Sequence, residues 1–154
     1  MTQIIETFYK AFSELDAETM VSCYDDNIIF EDPAFGVLKN EHAKNMWRML
    51  CESQKGKTFI VTYSNIEANE TTGSALWEAH YNFSKTGKKV HNKIKAQFEF
   101  SNGKIIKHTD DFSLHRWAKQ AFGLKGYLFG GTSFFKKKLQ AETKYLLQKY
   151  EQYK

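Results

Sequence analysis

The sequence predicts an α+β fold: a cone-shaped, curved antiparallel sheet wrapped around N-terminal helices, with additional C-terminal helices. Three observations predict it. Apolar residues recur with helical spacing up to the Lys55-Gly56-Lys57 break. From Thr58 to Leu114 the period drops to two, in four runs divided by turn residues, the pattern of an antiparallel meander. A helical stripe then returns beyond a stretch broken by Gly123, Gly126, Gly130 and Gly131. A cone-shaped domain is expected at residues 1–115 and a helical extension at 116–154.

Ile5, Phe8, Phe12 and Leu15 lie on one helical face that stops near Asp16. Asp16 suits the N-cap of a second helix with Met20, Cys23 and Tyr24 on its apolar side, leading into a strand at Ile28–Phe30. Asn40 is placed to cap a third helix bearing Ala43, Met46, Trp47 and Leu50. The strand-like runs are Thr58–Ile66, Ala75–Phe83, Val90–Phe100 and Lys104–Leu114. The last two are joined by Ser101-Asn102-Gly103, whose Asn-Gly pair is a strong hairpin signal. Phe135, Leu139, Leu146, Tyr150 and Tyr153 form the final stripe, beside Lys136, Lys137 and Lys138.

At 154 residues the chain suffices for one domain with a sizeable core. Aromatic residues make up 16% of it, so rings must line the interior heavily. Cys23 and Cys51 have neither metal-ligand spacing nor the density of a disulfide scaffold, which favours free thiols in a reducing compartment. No run of apolar residues is long enough for a membrane span, and Glu6 and Lys10 interrupt the first apolar stretch, unlike a signal peptide. A cytoplasmic location is expected. Residues 1–100 hold 11 Lys or Arg against 14 Asp or Glu, whereas residues 101–154 hold 11 against 4. The positive excess sits in the tail, where three adjacent lysines with Phe134 and Phe135 make either a solvated helix face or a small anion-binding patch. No nucleic-acid partner is expected from so small a patch.

Alternation sorts strand residues into two faces. Asn92, Ile94, Ala96, Phe98 and Phe100 point inward, as do Trp77, Ala79, Tyr81 and Phe83, while Glu78, His80 and Asn82 point out. In the last run Ile106, His108, Asp110 and Phe112 are assigned inward. His80 and His91 fall outside, no His/Asp/Glu cluster shows metal-ligand spacing along the chain, and neither a metal nor another cofactor is expected. Asp32, Asn92, His108, Asp110 and Tyr81 therefore converge on an apolar interior, the composition of a small-molecule site. Asp32 precedes Pro33, which forces extended geometry on it and makes it either an ordinary turn residue or a rigid strand-end acid. The His108–Asp110 pair is likewise either an internal hydrogen bond or an acid–base couple.

The run Tyr24-Asp25-Asp26, an apolar strand, then Glu31-Asp32-Pro33 and Phe35-Gly36 resembles the segment of ketosteroid isomerases that carries the general base, within the nuclear transport factor two-like superfamily. Gly103 to Asp110 is similar to the strand of SnoaL-like polyketide cyclases that ends in an acid–base aspartate. The resemblance covers about residues 4–114 and implies the cone fold, a homodimer paired through the outer sheet face, and a hydrophobic small-molecule ligand. It implies Asp32 as general base and Asp110 as second acid–base group, with His108 or Asn92 stabilising developing negative charge. Phe8, Phe12, Trp47, Trp77, Tyr81, Phe98 and Phe112 would line the site. The isomerases' two enolate donors fall at Phe8 and Ala96, with Tyr9 expected to face elsewhere. Loss of one such donor costs on the order of 100-fold in rate. No inward strand position supplies the arginine that epoxide hydrolases of the superfamily pair with two acids. The expected function is a cofactor-free isomerase, cyclase or dehydratase; the alternative is a non-catalytic binding module or adaptor.

Overall fold

The computed structural model describes residues 1–154. The chain forms α1 (Thr2–Ser13), α2 (Ala17–Ser22), β1 (Tyr24–Asp32), β2 (Gly36–Lys39) and α3 (Glu41–Gln54), then β3 (Phe59–Ala68), β4 (Thr72–Asn82), β5 (Lys89–Ser101) and β6 (Lys104–Asp111). Three helices close it: α4 (Leu114–Phe122), α5 (Leu124–Phe129) and α6 (Ser133–Gln152). One curled, unclosed sheet runs β2-β1-β6-β5-β4-β3. Its hollow side receives Ile5, Phe8, Tyr9 and Phe12 of α1, all at most 2% exposed.

Local signals set most boundaries. Asp16 caps α2 by accepting the Thr19 backbone N–H at 3.1 Å and the Thr19 hydroxyl at 2.6 Å. Asn102 and Gly103 both take positive φ, 51° and 75°, the geometry of a tight hairpin turn between β5 and β6. Asn40 precedes α3 but makes no side-chain cap; it enters at φ 56° and donates its backbone N–H to Ile28 O at 2.9 Å. Its contribution is the turn rather than the amide group.

Three placements differ from the pattern of the sequence. The sheet is antiparallel except for β1, which runs parallel to β6, with Phe30 beside His108 and Glu31 beside Thr109. No hairpin joins these two strands, so the direction of their pairing is decided by the path through α3 and the meander. Between β5 and β6 the register steps from Glu99–Lys107 to Phe100–Ile105, leaving Ile106 as the extra residue of a bulge. Ile105, not Ile106, is consequently the fully buried residue. In α6 it is Leu147, 3% exposed, that enters the main core, while Leu146 and Tyr153 are 46% and 81% exposed.

The α6 helix packs with polar residues on its inner side. Gln140 donates to Pro33 O at 3.1 Å and Thr143 to Ala34 O at 2.8 Å, satisfying carbonyls of the turn after β1. Near its end Glu151 accepts from Asn45 at 2.9 Å and contacts His42. A satellite cluster of Val90, Trp117, Ala118 and Ala121 binds α4 to the sheet. Gly126 lets α5 cross α4 closely, because a Cβ there would meet Ala118 O at 1.8 Å. No helix is long and apolar enough to cross a membrane.

Candidate active site

Asp32 ends β1 on the same face as Phe30, which is buried, and one step beyond the Glu31–Thr109 pair. That step sets it beside Asp110. Both alternatives for Asp32 hold at once: its Oδ1 accepts the backbone N–H groups of Ala34 at 2.9 Å and Phe35 at 2.6 Å, an Asx turn ahead of β2. Oδ2 makes no hydrogen bond within the chain. Burial raises the carboxyl from its ordinary 3.8 to about 7; the two N–H groups oppose this, and the negative charge of Asp110 adds to it. The residue as a whole is only half-buried, so the charged form keeps some access to water.

His108 and Asp110 occupy the neighbouring strand, 0% and 4% exposed. The His108 ring bonds Asp110 Oδ1 through Nε2 at 2.9 Å and the Tyr24 hydroxyl through Nδ1 at 2.7 Å. Trp47 Nε1 donates to that hydroxyl at 2.8 Å. The directions follow from the chemistry of the donors. An indole N–H can only donate, so the Tyr24 oxygen accepts from Trp47 and its proton goes to His108 Nδ1, which leaves Nε2–H to face the carboxyl. A one-way chain of donors, Trp47 to Tyr24 to His108, thus ends on Asp110. Trp77 Nε1 adds a longer bond of 3.3 Å to the same Oδ1. As in Asp32, the second oxygen of Asp110 is left without a partner in the chain.

The cross-sheet row through Asp110 is small: Ala96 faces it across β5 and Ala75 follows on β4. Tyr9 fills part of this interior. It does not face elsewhere, as its place beside Phe8 suggested, but is fully buried, tilted against Trp77 at 5.9 Å and edge-on to Phe98 at 6.3 Å. Its spacing of i, i+4, i+7 with Ile5 and Phe12 was the available signal. The Tyr9 hydroxyl is the one buried side-chain polar atom without a hydrogen-bond partner. Its pKa is raised well above the phenol range, mostly by burial and then by the charge of Asp110, so it remains a proton donor.

The remaining expected site residues separate into groups. Phe8, Phe12, Trp47, Trp77 and Phe98 are buried together with His108, in ring contacts such as Phe12–Trp47 at 5.1 Å and Phe98–His108 at 4.5 Å. They pack on one another at this level of the cone. Tyr81 and Phe112 are half-buried at the junction with α4, where the Tyr81 hydroxyl accepts the Trp117 indole N–H at 2.7 Å. Asn92 lies on the inner face but pairs with Ala79, four residues before Ala96. That is about 13 Å along the strand, too far to act with Asp110. Concavities of about 220 and 320 Å³ lie around Ser74, Glu67 and Gln97, away from Asp32.

A family model of the SnoaL-like domain matches residues 5–108. No curated protein matches the chain. Among solved structures, a candidate polyketide cyclase from Xanthomonas campestris pv. campestris superposes with TM-score 0.63 at 17% identity, covering 78% of this chain and 95% of that one. An LEH-like epoxide hydrolase from M. tuberculosis gives TM-score 0.60 at 19% identity, covering 82% and 90%. TerC, co-crystallised with polyporic acid, gives 0.59 at 13% identity, covering 71% and 88%. At these identities the likeness is one of fold. With the family match spanning two-thirds of its length, a cone-shaped sheet and an aspartate at the end of β1, the chain belongs to the SnoaL-like domain family.

Proposed function

We propose that this protein is a cofactor-free acid–base enzyme acting on an apolar, ring-bearing small molecule, as an isomerase, cyclase or dehydratase. One observation carries the reading: Asp32 and Asp110 stand side by side on the inner face, each with Oδ1 held by donors and Oδ2 free. Asp32, poised near neutral pH by burial, would take a proton from a carbon acid at Oδ2. Asp110, oriented by the Trp47–Tyr24–His108 chain, would receive that proton from Asp32 at its own free Oδ2 and deliver it to a second position of the substrate, leaving both carboxylates as they began. Neither His108 nor Asn92 is free to stabilise the resulting negative charge, since both His108 nitrogens are engaged and Asn92 is distant. The unpartnered Tyr9 hydroxyl supplies that donor instead. The expected cytoplasmic setting and a homodimer, with Ile60 and Leu76 exposed on the outer face, belong to the same reading.

A second reading, a non-catalytic binding module, is favoured by the ring packing around His108, which a ligand would have to displace. One experiment separates them. Cyclic and aryl ketones are incubated with the protein in D2O and deuterium entry beside the carbonyl is followed by NMR, with thermal shift recording binding. Exchange that is lost in Asp32→Asn while the thermal shift persists supports the enzyme. Binding without exchange, or exchange unchanged in Asp32→Asn, supports the module.

A further inference from the structure

On the opposite side of the sheet, strand pairing assembles a second group of chemically capable side chains. His80 of β4 stands directly across from His91 of β5, and Glu78 lies two residues before His80 on the same face. The imidazole rings stack at 3.9 Å with an interplanar angle of 21°. Glu78 Oε1 is 2.5 Å from His91 Nε2, and the three ligand atoms all lie within 4.8 Å of one another. We infer that Glu78, His80 and His91 bind a divalent transition ion of the zinc class, with one coordination position left open.

The donor set selects the ion. Two imidazole nitrogens and one carboxylate suit zinc and its neighbours, whereas calcium and magnesium require oxygen-rich sites. With bonds of about 2.1 Å, a tetrahedral zinc holds its ligand atoms about 3.4 Å apart. The Glu78–His91 contact must therefore open by about 1 Å, and no other separation need close by more than about 1.4 Å. Side-chain rotation suffices for this, since His80 is exposed and the other two side chains are 38% and 41% exposed. Three protein ligands leave the fourth position to water.

The backbone is prepared for the task. β6 pairs with β5 only as far as Lys95, and at His91 the side chain of Gln120 from α4 takes over. It accepts the His91 N–H at 2.7 Å and donates to the His91 carbonyl at 3.1 Å, holding both backbone groups of that residue. A Glu78–His91 ion pair alone accounts for two of the three residues. It leaves His80 stacked face to face on the same imidazole with no partner of its own, an arrangement that a shared metal ion makes productive. Lys93 faces Glu78 across the strands and is the cation that competes for its carboxylate.

The test is titration of the chelator-stripped full-length protein with zinc chloride by calorimetry, and with cobalt(II) by visible absorption, where tetrahedral binding gives an intense band. One ion per chain is expected. His80→Ala and His91→Ala should each weaken binding at least about tenfold and abolish the cobalt band, while Lys93→Ala should tighten it. His42→Ala and His115→Ala, which lie on other elements, should change nothing. Zinc uptake by the double variant His80→Ala/His91→Ala at wild-type affinity would overturn the assignment, as would failure of the wild-type protein to bind either ion. Glu78→Gln, which preserves shape on an exposed strand, provides a folded variant if either histidine change disturbs the sheet.

Discussion

Asp32 and Asp110 come from strands 72 residues apart at their closest ends and meet on one face because β1 lies parallel to β6, one step past the Glu31–Thr109 pair. Parallel pairing keeps the side-chain parity of both strands in phase, so two carboxyls share an apolar interior. The Asp110 charge raises the cost of charging Asp32. The larger part of the Asp32 shift nevertheless comes from desolvation, with the Asp110 charge behind it.

That shift makes stability depend on pH. The folded Asp32 carboxyl titrates near 7 and the unfolded one near 3.8, so between these values the folded state binds more protons and stability falls as pH rises. The deficit is absent below about pH 4 and complete above about pH 7. Asp32→Asn removes the titration and keeps an Oδ1 acceptor for Ala34 and Phe35. Urea unfolding should find it more stable than the parent at pH 8, by on the order of 2–4 kcal/mol, and equal to it at pH 4. A difference independent of pH would contradict the placement of Asp32 in a desolvated site.

Tyr9→Phe deletes a buried hydroxyl that has no partner. Leaving such a group unsatisfied costs about 1–3 kcal/mol, so the variant should be as stable as the parent or more so in denaturant melts. If Tyr9 is the charge-stabilising donor, ketone exchange should fall about 100-fold or more in the same variant. Lower stability with unchanged exchange would assign the hydroxyl a structural role.

Tyr24→Phe acts in the opposite direction. It strands the Trp47 indole N–H and one His108 nitrogen in a fully buried setting. A loss of about 2–4 kcal/mol is expected from two unsatisfied groups, read as a lower urea midpoint with an unchanged slope.

Leu147→Ala tests the seat of α6 on the cone. A buried leucine reduced to alanine costs about 2–5 kcal/mol. Because Gln140 and Thr143 hold the Pro33–Ala34 turn from the same helix, loosening α6 should hydrate Asp32 and lower its pKa. The pH dependence of stability should shrink accordingly, and a carboxyl titration followed by NMR should move down from about 7.

The sequence by itself determined the first three helices and the last, most strand faces and the β5–β6 hairpin turn, because their causes are local, whereas β2 and α5 carry no such periodic signal. Period-two alternation in β5 assigned Ile94, Ala96, Phe98 and Phe100 inward without knowledge of their neighbours, and Asn102-Gly103 dictated its own turn. Family likeness in the β1 segment pointed to Asp32. What required the tertiary structure were relations between residues distant along the chain. The parallel β1–β6 register put Asp32 beside Asp110, and the Ile106 bulge exchanged Ile105 for its neighbour. The meeting of His80 with His91 depended on which β4 residue stands opposite which β5 residue, a register set by a turn and two whole strands. Leu147 rather than Leu146 faces the core because Gln140 and Thr143 on that side satisfy turn carbonyls that no apolar periodicity records. Hydrophobic spacing reports burial one element at a time, whereas hydrogen-bond partners and coordinating groups are chosen by the packing of elements against each other.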